Sequence, residues 1–265
     1  MGVHTVNRLV SAGLQMVEKS YYLNYGRDII AGWCKEYFVK LGAEEIKVLD
    51  IGCGMGDDLY NIKTVLPHGN LELCGIECHP PYIAQARQKG VNVLEFDIEK
   101  QTWPVADEYY DIVIANQILE HTKEIFWILS EISRTLKKGG RLILGVPNLL
   151  SLHNRLTMMC GGHPISIELL GPHVRGFTAP AVRRLIEADG YFKILQMRAS
   201  NFYPFPPPIS KVLSRILPTF SVCLFFLAER QMKKGEFIHV LDSRFYETPF
   251  YRGNQASSIG PDTTV

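Results

Sequence analysis

Two stretches near the start of the chain place apolar residues at helical spacing. The first is Val6, Leu9, Val10, Leu14 and Val17, and the second is Ile29, Ile30, Trp33, Cys34, Tyr37 and Phe38. They predict two amphipathic helices. Gly42 and the acidic pair Glu44 and Glu45 break the pattern. From Ile46 the rhythm changes. Short apolar runs at Ile46–Ile51, Leu71–Glu77, Val91–Phe96, Asp111–Ala115, Arg141–Val146 and Phe192–Met197 read as strands. Helical stretches lie between them, near Asp58–Val65, Pro81–Lys89, Lys123–Leu136 and Pro180–Ala188. This alternation predicts an α/β fold with a doubly wound, mostly parallel sheet and right-handed crossovers. A last run, Ser221–Ala228, follows a long connection and suits a strand added antiparallel.

Two stretches interrupt the alternation. Residues 148–178 carry His153, His163 and His173 with paired glycines. Residues 200–219 hold FYPFPPPIS, whose prolines forbid regular helix at its start. Insertions of this kind usually sit on the ligand side of an α/β sheet. The expected organisation is an N-terminal helical segment at 1–45, a main domain at 46–228 with insertions at 148–178 and 200–219, and an extension at 229–265. The small, polar tail from Gly253 is expected to be disordered.

Composition narrows the partners. The 265 residues hold 28 basic and 27 acidic side chains, for a net charge of +1. That balance argues against a nucleic-acid binder that relies on a broad basic field. At 46% hydrophobic and 21% charged, the chain is globular. Its six cysteines form no CxxC pair, and Cys74 and Cys78 lack a second pair to complete a zinc site. A reduced, cytoplasmic protein with buried thiols is expected. Arg8 and Glu18 interrupt the apolar residues at the start, so no signal peptide is expected. The run from Val222 to Ala228 is too short to span a bilayer.

The sharpest chemical feature is Val48-Leu49-Asp50-Ile51-Gly52-Cys53-Gly54-Met55-Gly56-Asp57-Asp58. A strand ends, three glycines alternate, and a helix begins. Glycine lets backbone turn tightly and approach a ligand. A dinucleotide fingerprint needs GxGxxG and positive potential for a pyrophosphate. Here the spacing is GxGxG, and Asp57 and Asp58 stand where the phosphate would lie. The carboxylates favour a ligand that carries positive charge, or they cap the helix.

These residues resemble the class I S-adenosylmethionine-dependent methyltransferases over roughly Ile46 to Met197. The resemblance implies a Rossmann-like sheet of seven strands. It also implies that Gly52, Cys53 and Gly54 meet the methionine part of S-adenosyl-L-methionine, and that Asp50 orients its ammonium. Glu77, ending the second strand beside Cys78, would accept both ribose hydroxyls through its two oxygens. Asp97 would face the adenine amino group, with Ile98 giving apolar cover. Asn116 and Gln117 would line the place where the methyl is presented. The helices at 1–45, with Tyr21, Tyr22 and Tyr25, would form a lid. Each carboxylate also has a plain structural role open to it, as a helix cap or a strand-end charge.

Methyl transfer to a hydroxyl needs alignment and a base for the proton. His121, in Asn116-Gln117-Ile118-Leu119-Glu120-His121, has a suitable intrinsic pKa. The Leu-Glu-His run is similar to that of quinone and small-molecule O-methyltransferases. There this histidine serves either as base or as part of the pocket wall. Glu120 either orients the imidazole or lends an oxygen to a metal. A second cluster, His163, Glu168, His173 and Arg175, lies in the first insertion. Its His-x-Arg-x-Phe-Thr element resembles methyltransferases of polysaccharide and natural-product pathways, which implies acceptor contact by His173 or Arg175. Thr178 there also suits a helix N-cap. No metal site is expected, since no carboxylate stands at ligand spacing from His163 and His173.

Phe202, Tyr203 and Phe205 among the prolines form either an aromatic wall over the acceptor or a packed linker. Ile209–Leu217, with Lys211 and Arg215, is a short basic amphipathic segment. It either packs on the domain or makes peripheral contact with a membrane bearing the acceptor. The expected activity is O-methylation of a small-molecule or glycan acceptor. Carbon methylation of a quinone- or polyketide-like acceptor is the alternative, and a silent cofactor-binding protein a third. Strand four ends without an amino-methylation signature, which disfavours nucleic acid.

Overall fold

The computed structural model describes residues 26–42, 45–242 and 250–252. The expected helix over Val6–Val17, the three tyrosines of the expected lid and the tail from Gly253 lie outside the described residues. Helix α1 is Arg27–Leu41. The strands are β1 (Ile46–Ile51), β2 (Leu71–Glu77), β3 (Asn92–Glu95), β4 (Tyr110–Asn116), β5 (Leu136–Pro147), β6 (Phe192–Ser200) and β7 (Cys223–Arg230). Helices α2 (Asp57–Val65), α3 (Pro80–Gln88), α4 (Ile125–Thr135), α5 (Leu152–Met159), α6 (Ala179–Ile186) and α7 (Pro207–Ile216) connect them.

One seven-stranded sheet runs β3-β2-β1-β4-β5-β7-β6. All pairs from β3 to β5 are parallel, while β7 pairs antiparallel with both β5 and β6. The chain winds outward from β1 to β3 and then returns to place β4 on the other side of β1. The carboxyl ends of β1 and β4 therefore flank the point where the strand order reverses, which is where open α/β sheets hold ligands.

Strand alternation divides the core into two layers. Leu49, Ile51, Val113, Ala115, Leu144 and Phe226 face α4 and α6. Val48, Ile112, Ile114, Ile143 and Phe225 face α1 and α2. Residues 229–242 also join the domain: Phe237 is buried, and the Ile238 amide donates to Ser130 Oγ on α4 at 3.0 Å.

The insertions hold more regular structure than their sequence suggests. Helix α5 was not expected, because it turns polar residues inward. Its Asn154 is buried and donates to the Asn148 carbonyl (3.3 Å) and Ser166 Oγ (2.9 Å). Helix α7 starts on Pro207 and Pro208, at positions that need no amide donor. It is inverted: Ser210 and Ser214 are buried, whereas Ile209, Val212 and Ile216 are exposed. Hydrogen bonds make the polar face tenable. The Phe202 amide donates to Ser210 Oγ (2.6 Å), and Ser221 Oγ to Ser214 Oγ (3.0 Å). Among the described residues no helix is long and apolar enough to cross a membrane.

Candidate functional site

The loop from β1 to α2 is built on left-handed backbone. Gly52, Gly54 and Gly56 have φ of 64°, 52° and 74°. The Cys53 amide donates to the Ile76 carbonyl at 3.0 Å, which pins the loop to β2. The first two glycines serve different needs. A Cβ on Gly52 would lie 2.5 Å from Ile118 Cδ1, so internal packing requires glycine there. A Cβ on Gly54 would meet nothing within 4 Å, so that glycine faces open space suited to a ligand.

Glu77 ends β2 beside this space. Its Oε2 accepts from the Gly54 amide at 3.0 Å, and its Oε1 accepts from the amides of Cys78 (2.8 Å) and His79 (2.9 Å). A carboxylate has about four acceptor positions, so one stays open beside Gly54. Asp97 lies just past β3. Its Oδ1 accepts from the Glu99 amide at 3.0 Å, and Lys100 Nζ stands 2.8 Å from Oδ2. Burial opposes ionisation of Asp97, but Lys100 and the amide outweigh it and hold the carboxyl below its usual range. Ile98 is buried, while Cys78 is exposed.

Beneath the loop, Asp50 is 2% exposed. Burial pushes its pKa well up, Asp58 and Glu77 add to the rise, and Arg27 opposes it. Asp58 is raised by burial too, against hydrogen bonding from Asn116 and the charge of Arg27. Asn116 Nδ2 donates to Asp58 Oδ2 at 2.8 Å, and Arg27 lies 3.0 Å from Asp57 and 3.5 Å from Asp58. Nothing in the sequence marked Arg27, because a cation thirty residues upstream has no spacing signal. A ligand bringing positive charge into this group would favour ionised Asp50. A phosphate would not. The open face at Gly54 and the buried acids therefore fit S-adenosylmethionine.

The turn after β4 carries the second half of the site. Gln117 has φ of 54°, strained backbone for a residue with a side chain. Its amide donates to the Gly145 carbonyl at 2.8 Å, and its buried Nε2 has no hydrogen-bond partner among the described residues. Ile118 then covers Gly52, joining the turn to the glycine loop. Glu120 is 1% exposed, its Oε2 has no hydrogen-bond partner among the described residues, and burial lifts its pKa to about 7.

The insertion folds back onto this turn. The Val174 amide donates to the Glu120 carbonyl at 2.8 Å. His173 therefore meets His121, with ring centroids 4.6 Å apart and planes at 70°. One donor atom from each of Glu120, His121 and His173 lies within 4.8 Å of the others. Glu120, marked in the sequence as a candidate metal donor beside His121, is joined there by His173 and not by His163. Partial burial and then the neighbouring His173 lower the pKa of His121, against a hydrogen bond to the Pro172 carbonyl. Arg175 uses Nε and Nη2 on the carbonyls of Thr122 (3.2 Å) and Lys123 (2.8 Å), clamping the turn. His163 turns Nδ1 to the Pro164 carbonyl at 3.2 Å and stays outside the cluster. Thr178 caps α6 as expected, accepting from the Ala181 amide at 3.3 Å.

Residues 43–172 match the family model described as a methyltransferase domain. An uncharacterised 37.1 kDa protein of a Streptomyces fradiae transposon is 34% identical over 108 residues, 39% of this chain and 31% of that protein. The malonyl-[acyl-carrier protein] O-methyltransferase of Hahella chejuensis is 31% identical over 123 residues, 44% of this chain and 43% of the relative. The chain thus spans less than half the length of these two relatives. Among solved structures, the DszA carbon methyltransferase superposes with a TM-score of 0.58 at 17% identity, covering 81% of this chain and 56% of that one. Residues 43–172 thus form a methyltransferase domain, and the seven-stranded sheet around it has the fold of solved S-adenosylmethionine-dependent methyltransferases.

Proposed function

We propose that the chain transfers the methyl group of S-adenosylmethionine to a hydroxyl of a small-molecule or glycan acceptor. The juxtaposition of Glu120, His121 and His173 with the glycine loop, across the reversal in strand order, carries this reading. The cofactor supplies an activated methyl on a sulfonium. The protein must hold it, orient the acceptor and accept a proton. Gly54 and Glu77 hold the cofactor, and Asp50 stabilises its positive charge. His121 takes the hydroxyl proton, and its lowered pKa leaves it neutral and basic near pH 7. Arg175 positions the turn that carries His121.

Calorimetry with S-adenosylhomocysteine and with NAD tests the cofactor directly. Binding of the first and not the second is expected, and preference for NAD would end the reading. Glu77→Ala is expected to weaken S-adenosylhomocysteine by about 1.5–3 kcal/mol, the range for hydrogen bonds to a charged group. An unchanged affinity removes Glu77 from the site.

The cofactor should also displace a proton. Because the Asp50 pKa is raised in the free protein, an ammonium beside it lowers that pKa and favours ionisation. Affinity for S-adenosylmethionine is then expected to rise with pH across that titration. Calorimetry in buffers of different ionisation enthalpy should detect proton release, and Asp50→Asn should abolish it. Proton uptake on binding would contradict the assignment.

A further inference from the structure

We propose that Glu120, His121 and His173 form a binding site for one divalent transition cation, which receives the acceptor oxygen. This rests on the methyltransferase reading and gives its acceptor side a specific chemistry. Three observations converge on it. Donor atoms from all three residues lie within 4.8 Å of one another. Each imidazole turns its Nδ1 toward a backbone carbonyl. His173 Nδ1 donates to the Ser166 carbonyl at 2.7 Å, and His121 Nδ1 faces the Pro172 carbonyl at 3.4 Å. A backbone carbonyl on Nδ1 fixes the tautomer and leaves a lone pair on Nε2, the usual outer-shell support for a ligating histidine. Finally, Glu120 Oε2 is buried without a hydrogen-bond partner among the described residues. A buried carboxylate oxygen is costly unless paired or bound to a metal.

Two imidazoles and one carboxylate suit Zn²⁺, Co²⁺ or Fe²⁺ better than Mg²⁺ or Ca²⁺, which prefer oxygen ligands. At metal–ligand distances of about 2.1 Å, tetrahedral donors stand about 3.4 Å apart. The donors therefore need to close in by at most about 1.4 Å on binding. Three protein ligands leave an open coordination position, and the exposed edge of His121 gives access to it.

An acceptor hydroxyl bound there loses its proton to water, because the cation lowers the hydroxyl pKa. Its oxygen lone pair then forms the new C–O bond to the methyl carbon. The C–S bond breaks, and its electron pair returns to sulfur, leaving a neutral thioether. With the cation bound, His121 serves as ligand and the cation takes over the activation that the metal-free imidazole gives as a base, so turnover that requires the cation separates the two roles.

The test is titration of the full chain with Co²⁺, followed by its d–d absorption, with Zn²⁺ as competitor. One equivalent of Co²⁺ is expected to bind and Zn²⁺ to displace it. Glu120→Gln and His173→Gln should each weaken binding at least about tenfold. Neither variant should change affinity for S-adenosylhomocysteine, which also reports that each is folded. Should Glu120→Gln fail to fold, His173→Gln carries the comparison alone. Absence of Co²⁺ binding by the unaltered chain overturns the proposal, as does equal binding by the folded variants. Failure to bind S-adenosylhomocysteine, by contrast, sinks the methyltransferase reading whatever the cobalt result.

Discussion

Replacing His121 by alanine is expected to lower the rate of methyl transfer about 10²–10⁴-fold, the usual contribution of a positioned acid–base group. Affinity for S-adenosylhomocysteine should change little. The reason is location. In the proposed complex the glycine loop, Glu77 and Asp50 would hold the cofactor from β1 and β2, whereas His121 stands beyond Ile118 on the turn after β4. Single-turnover kinetics with bound cofactor would separate the two effects. A rate loss without an affinity loss places His121 on the acceptor side, as base or as ligand of the proposed cation. Equal losses in both would make it part of the pocket wall. An unchanged rate would point instead to a carbon acceptor, which needs no oxygen base.

Phe225→Ala is expected to lower the free energy of unfolding by about 3–5 kcal/mol. This side chain is fully buried in the middle of β7. Its ring fills the space that glycine leaves at Gly145 on β5 and at Gly26 ahead of α1, where a Cβ would collide with it. Truncation opens a cavity bounded by three segments, and backbone glycines have no side chains with which to fill it. Urea unfolding gives the measurement, with a shifted midpoint at unchanged slope. A loss under about 1 kcal/mol would mean the ring is not packed as described. Gly145 also lies under Asn116, where a Cβ would collide with Oδ1. Strain at this contact should therefore reach the cofactor site as well as the core.

Much of the sheet was legible because its strands are apolar runs with clear punctuation. β1 and β2 have the expected limits, since Gly52 and the Cys78-His79-Pro80 turn end them abruptly. β5 starts earlier than expected, at Leu136, because Lys137, Lys138, Gly139 and Gly140 disguise an extended backbone. α5 and α7 were harder for one shared reason. Hydrophobic patterning assumes that apolar side chains point inward, and both helices bury polar residues satisfied by hydrogen bonds to the adjoining loops. The residues proposed to hold the cofactor were easy to single out, since Asp50, Gly52, Gly54 and Glu77 stand at or just past strand ends, where α/β sheets hold ligands. The acceptor half was readable only in pieces. His121 and His173 were each marked, but their meeting with Glu120 depends on the insertion's path back over the β4 turn. No local spacing encodes that path.

The place of β7 in the sheet has a consequence for synthesis. β7 enters between β5 and β6, both of which precede it in the chain, and among the described residues β6 pairs with β7 alone. As the chain leaves the ribosome, β1 to β5 can assemble in order. The outer edge of β5 then waits, with its backbone donors and acceptors unpaired, until Cys223–Arg230 has been made. Such an edge is a template for intermolecular pairing. A nascent chain halted shortly before Cys223 would hold the whole glycine loop and still be an aggregation hazard. Its solubility, and not its cofactor binding, would be the first property restored by the last strand.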